Sequence, residues 1–109
     1  MARLPILPDI PEPKTYVLDG QGNPVLEPDM VKFGKFIASE AKIVKQDALP
    51  DGSLVSTVFV GVDYHSPPRL WENLILGGQQ DGYQQRYTSR EAALAGHEKA
   101  LARASKQVQ

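Results

Sequence analysis

The sequence predicts an α+β fold: an antiparallel four-stranded meander with two helices packed on one face, preceded by a short N-terminal hairpin and a proline-rich arm. Three observations predict it. Residues 41–88 hold four strand-like runs divided by turn signals, with no helical run among them. One segment before that block and one after it carry apolar residues at helical spacing. The chain has 109 residues, enough for one domain with one modest core.

The elements follow in order. Residues 1–13 contain four prolines, at 5, 8, 11 and 13. Proline at this density removes amide donors and holds the backbone near polyproline II. Leu4, Ile6, Leu7 and Ile10 lie between them, so two readings stay open. The arm either docks loosely or frays, or it docks on a neighbouring subunit or a partner. The single α+β domain is expected over 14–109. Thr15–Leu18 is a short β-type run, and Asp19-Gly20-Gln21-Gly22-Asn23-Pro24 is a dense turn signal that lets Val25-Leu26 pair back. This turn is not a calcium loop. Its sixth position is Pro24 and its twelfth is Met30, where such a loop needs glycine and glutamate.

Pro28 and Asp29 open the first helix, which should end near Ser39. Met30, Phe33 and Ile37, with Phe36 alongside, form its core-facing stripe, and Gly34 within the stripe suits close packing. Residues 41–48 read as a strand and Leu49-Pro50-Asp51-Gly52 as a turn. Leu54–Val62 is β-branched and apolar on both faces, so it is expected to be central. Asp63–Pro68 is a loop, because consecutive prolines cannot join a ladder. Leu70–Leu76 is the next strand, Gly77–Gly82 a hairpin turn, and Tyr83–Tyr87 a polar strand with an aromatic face. Thr88-Ser89-Arg90-Glu91 fits a capping box with Thr88 as N-cap. Leu94, His97, Leu101, Ala104 and Val108 then make the stripe of the last helix.

Composition narrows the chemistry. Twelve basic residues oppose thirteen acidic ones, and no cysteine is present. Near-neutral charge disfavours a general polyanion binder, so nucleic acid is not an expected partner. Lys32, Lys35, Lys42 and Lys45 read as a solvated face. Without cysteine there is no disulfide, thiolate metal site or thiol nucleophile. No apolar run approaches the roughly 20 residues that span a bilayer, and the first residues do not form a signal peptide.

Few side chains can be assembled into a reacting centre. Asp63, His65 and Glu72 are the conceivable metal set, but Asp-x-His is a short pattern and no second histidine is near, so no metal is expected. His97 falls within the apolar stripe of the last helix and reads as a half-buried histidine bonded to a strand or loop. Ser56 and Thr57 lie mid-strand, not on a nucleophile elbow. Gly77-Gly78-x-x-x-Gly82 joins strand to strand and lacks the lysine of a phosphate loop. No catalytic residue and no cofactor is assigned. Trp71, Tyr83 and Tyr87 are expected to leave an aromatic contact patch on the sheet face that the helices do not cover.

Several motifs stand in order over about residues 15–100: Tyr16–Val25, Val55–Asp63, Leu70-Trp71-Glu72, Leu76-Gly77-Gly78, Arg86-Tyr87-Thr88, Glu91-Ala92 and Ala95-Gly96-His97. In this combination the chain resembles a family of small proteins encoded by tailed bacteriophages and prophages. The family pattern sets a histidine directly after the aspartate; here Tyr64 intervenes and His65 is displaced, which weakens a ligand role for it. The resemblance implies a phage gene product acting in the host bacterial cytoplasm, and carries no mechanism.

Three functions from different classes remain. The first, and the favoured one, is a non-enzymatic accessory protein that binds a host or phage protein, for instance to counter a host defence. The second is a small-molecule or nucleotide binder with a pocket formed by residues 63–69, Glu72, Arg86 and the arm, closed in one version between two subunits of a homo-oligomer. The third is a small metal-dependent enzyme using Asp63, His65 and Glu72, or His97. The expected binding residues are Asp63, His65, Trp71, Glu72, Tyr83, Arg86 and Tyr87.

Overall fold

The computed structural model describes residues 12–105. The strands are β1 (Lys14–Leu18), β2 (Pro24–Leu26), β3 (Ile43–Ala48), β4 (Leu54–Phe59), β5 (Val62–Asp63), β6 (Trp71–Leu76) and β7 (Gln84–Tyr87). The helices are α1 (Met30–Ala38) and α2 (Arg90–Ser105), with a 3₁₀ turn at Glu40–Lys42. The fold is α+β as expected, with an antiparallel four-stranded sheet in the order β3-β4-β6-β7. The arm expected at residues 1–13 lies almost wholly outside the described residues, as does Val108.

The run expected as one long strand, Leu54–Val62, is broken. Gly61 takes a φ of +70°, a conformation that suits glycine, and the chain bends there. A Cβ at Gly61 would stand 2.6 Å from the Tyr16 carbonyl oxygen. Beyond the bend, Val62 and Asp63 leave the main sheet and pair with Thr15 and Lys14. The N-terminal hairpin therefore becomes a three-stranded sheet, β2-β1-β5, tied to the end of β4.

Strand pairing sets which side chains face the helices. Val55, Thr57 and Phe59 of β4 share one face with Asn73 and Trp71 of β6, because Thr57 pairs with Asn73 and Phe59 with Trp71. Helix α2 packs on that face, and α1 joins it through Phe36, whose ring meets Phe59 edge-on at 5.9 Å. One apolar cluster holds Val55, Ile75, Ala100 and Ala104; the other holds Phe59, Leu70, Trp71 and Ala93. Trp71 is therefore a core residue, 4% exposed, with its ring 5.3 Å from that of Phe59. Tyr87, opposite Trp71 in the ladder, is half-buried against the same cluster, and Tyr83 packs on the other. The expected aromatic patch on the open face does not form, because all three rings serve the helix-covered side.

Several local expectations change for identifiable reasons. Asp29 caps α1, its carboxylate accepting from the Val31 and Lys32 amides, so Pro28 precedes the helix. Met30 is 62% exposed and outside the core. No atom lies within 4 Å of a Cβ built at Gly34, so that glycine has no packing role. Ser89, one residue after the expected cap, accepts from the Ala92 amide at 3.1 Å. Helix α2 buries its small residues, Ala93, Gly96, Ala100 and Ala104, together with His97, while Leu94 and Leu101 are half-buried at the flanks. A Cβ on Gly96 would collide with the Tyr87 hydroxyl and with Asn73 Oδ1. Small residues let the helix approach the sheet closely.

Between the two apolar clusters runs a buried polar row. Asn73 Nδ2 donates to Thr57 Oγ1 at 2.7 Å and to the Ala93 carbonyl at 3.0 Å. Thr57 Oγ1 lies 2.7 Å from His97 Nδ1, and His97 Nε2 lies 2.8 Å from Asp47 Oδ2. With Thr57 accepting from Asn73, its hydroxyl proton goes to Nδ1, and Nε2–H donates to Asp47. His97, expected to be half-buried, is fully buried and bonded to two strands.

Candidate functional site

The loop between β5 and β6 gathers four of the residues expected to bind. Asp63 begins it from a sheltered position, its side chain 4% exposed. Its Oδ2 accepts from the Arg69 amide at 2.7 Å and from Arg69 Nε at 3.4 Å. Its Oδ1 lies 2.9 Å from His65 Nδ1. Burial pushes the Asp63 carboxyl up, but hydrogen bonds from the Arg69 amide, His65, the Arg69 guanidinium and the Tyr64 amide outweigh it. The net effect holds Asp63 well below the ordinary carboxylate range, and the group is ionised at neutral pH.

A second clamp closes the loop from β7. Arg86 Nη1 donates to the Val62 carbonyl at 2.9 Å and to the Arg69 carbonyl at 3.3 Å, thereby joining the loop's two ends. Its Nε lies 3.4 Å from Glu72 Oε2, the residue it faces across the β6–β7 ladder. Asp63, His65, Glu72 and Arg86 thus belong to one assembly. Arg69 completes it and was not singled out in the sequence. Its only signal is a basic residue six positions beyond a buried acid. The three other expected residues, Trp71, Tyr83 and Tyr87, are not part of the loop; Arg103 stacks over the Tyr83 ring at 4.7 Å, at another place in the fold.

What the clamps hold outward is an aromatic and cationic surface. Tyr64 is 53% exposed and stacks on His65, with ring centres 4.5 Å apart and planes 24° from parallel. Arg69 Nη2 lies 3.0 Å from His65 Nδ1. That nitrogen holds one proton or one lone pair, so it either donates to Asp63 or accepts from Arg69. In the first state Nε2 is left as a bare acceptor at the surface.

Among the described residues no group of three His, Cys, Asp or Glu side chains could hold a metal ion. Glu72 turns to Arg86 and not to the Asp63–His65 pair. The Thr57–His97–Asp47 row has the composition of a nucleophilic triad, yet Thr57 and His97 are fully buried and no substrate can approach them. Of the lysines at 32–45, Lys42 donates to the Ile37 carbonyl and Lys45 pairs with Glu98 at 3.0 Å. No helix of the described residues is long and apolar enough to cross a membrane. Comparison with protein families, with curated proteins and with solved structures finds no match to the chain.

Proposed function

We propose that the chain is a non-enzymatic binding protein of phage origin that engages a host or phage protein in the bacterial cytoplasm through loop 64–69. One observation carries the reading: a stacked Tyr64–His65 pair stands in solvent on a loop whose base is pinned by a buried carboxylate and by Arg86. An isolated exposed tyrosine needs no explanation. A buried charge with four hydrogen-bond donors, spent on a surface loop, does. Pre-ordering the loop lowers the entropy lost on binding, and tyrosine and arginine are the side chains that most often dominate interface energies. The partner surface would offer a carboxylate to Arg69 and an apolar face to Tyr64. Blunting a host defence is one use of such a contact.

The test is capture from bacterial extract with the wild-type chain and with Tyr64→Ala. The substitution lies in solvent and should leave the melting temperature unchanged. A single dominant partner should be retained by wild type and recovered at least about tenfold less by the variant, the loss typical of a central tyrosine. Equal recovery by both chains would remove the loop from the interface.

A further inference from the structure

The face of the main sheet turned away from the helices is more apolar than a solvated face should be. Strand pairing puts Leu54, Ser56 and Val58 of β4 on it, with Glu72, Leu74 and Leu76 of β6. Four of those six are apolar, whereas an antiparallel sheet with one wet face alternates apolar inward and polar outward. Ile43 of β3 joins them beside Val58. Leu76 is 47% exposed and Ile43 37%, while Leu54, Val58 and Leu74 are half-buried. None of the five belongs to either apolar cluster of the core.

The point where the chain enters β1 decides what can reach this strip. Lys14 and Thr15 pair with Asp63 and Val62, and the Val62 carbonyl accepts from Arg86 Nη1 at 2.9 Å. Arg86 pairs with Glu72 and Glu72 with Val58, so Arg86 stands on the open face, at the end where Val58 and Ile43 lie. The segment before Lys14 therefore starts beside one end of the strip. Leu4, Ile6, Leu7 and Ile10 are spaced along that segment between prolines, and they lie outside the described residues. Ten residues separate Leu4 from Lys14. At the polyproline rise they reach about 31 Å, against about 20 Å for the length of a six-residue strand.

We propose that residues 4–10 cover the open sheet face of their own chain, with Leu4, Ile6, Leu7 and Ile10 laid on the strip. A segment so rich in proline lacks the amide donors to extend either edge of the sheet. What it offers is apolar side chains, which need no hydrogen-bond partner on the face. Proline fixes φ in advance, so docking costs less entropy than for an ordinary segment. Attachment beside the strip gives the segment an effective concentration in about the millimolar range, well above that of a second copy at micromolar protein. The contact uses the opposite face of the sheet from the helices and does not rest on partner binding at loop 64–69.

The chain has no cysteine, so a single nitroxide can be attached through Ala2→Cys. In the full chain it should broaden the methyl resonances of Leu54, Leu74 and Leu76. Those of Leu94 and Leu101, in α2 on the other side of the sheet, should stay sharp. The broadening should survive tenfold dilution. Leu4→Ser combined with Leu7→Ser should abolish most of it without touching the sheet, and Leu74→Gln should do the same at Leu54 and Leu76. No broadening in the parent chain, or equal broadening with and without the two serines, would overturn the proposal. So would broadening that fades on dilution and appears when labelled chain is mixed with nitroxide-free chain, the mark of a second copy as the occupant.

Discussion

Replacing Gly96 with alanine should destabilise the protein, although the same change in most helices does the opposite. Alanine in place of glycine in a helix interior gains up to about 1 kcal/mol. Gly34 in α1 shows that case, since nothing lies within 4 Å of its added methyl. At Gly96 the methyl would occupy the space of the Tyr87 hydroxyl and ring carbon and of Asn73 Oδ1. Relief requires moving α2 off the sheet or turning Tyr87 out of its cluster, and overpacking of this kind costs ~1–3 kcal/mol. The cost at the upper end, less the helix gain, leaves a net loss of about 2 kcal/mol. For a domain of this size that is roughly 8–15 °C in melting temperature. Gly34→Ala should instead raise it by a few degrees. Urea and thermal unfolding of both variants, followed by far-ultraviolet dichroism, measure the contrast. The Tyr87→Phe background should recover part of the Gly96→Ala loss, since the hydroxyl is the nearest atom to the methyl. A Gly96→Ala chain as stable as wild type would refute the close helix–sheet approach.

Two further outcomes follow from burial. Trp71→Ala should cost about 3–5 kcal/mol, the usual range for emptying a large core site, and should unfold the chain at physiological temperature or close to it; a variant of normal stability would return Trp71 to the surface. Asp63 is held below its ordinary value of 3.8, so its contribution to stability is complete above that pH and is lost as pH falls through the lower folded value. Unfolding free energy should therefore decline below about pH 4 in wild type, and Asp63→Asn should lower stability at pH 7 by roughly 2 kcal/mol while flattening that acid limb. An unchanged acid limb in the variant would show that the carboxylate is not the anchor of the loop.

The architecture was legible because turn chemistry and alternation both survive in the structure. Pro50, Gly52 and Gly82 end strands where they should, and the 77–82 segment is a hairpin turn with the Gly77 amide bonded to Asp81. Parity within β6 was not legible. Leu74 and Leu76 are more apolar than Asn73, yet the set Trp71, Asn73 and Ile75 faces the core. Asn73 can be buried because Thr57 and the Ala93 carbonyl receive its amide protons, a fact that belongs to two other elements. The α2 face was misjudged for a related reason. Hydropathy ranks leucine above alanine and glycine, whereas close approach to a sheet rewards the small residues. At the loop, Asp63 with His65 was visible as a short-range pattern. Glu72 with Arg86 depends on the β6–β7 register, and Arg69 on the loop's path, neither of which spacing alone reports.

The polar row sets a hydroxyl, an imidazole and a carboxylate in line, with the hydroxyl and the imidazole fully buried. Along β4 the helix-facing order is Val55, Thr57, Phe59; along β6 it is Ile75, Asn73, Trp71; along α2 it is Ala100, His97, Ala93. Each element reads apolar, polar, apolar, and the polar members meet at one level. Shifting α2 by one turn would set His97 against Val55 or Phe59 and strand Thr57 and Asn73 without partners, at ~1–3 kcal/mol for each buried group. The row thus selects one helix position among several that the alanine-rich face would otherwise permit. A role in specifying register requires full burial of the same groups whose catalysis would require access. At the periphery, Tyr64, His65 and Arg69 stand partly exposed on a loop held by the Asp63 carboxylate and the Arg86 guanidinium.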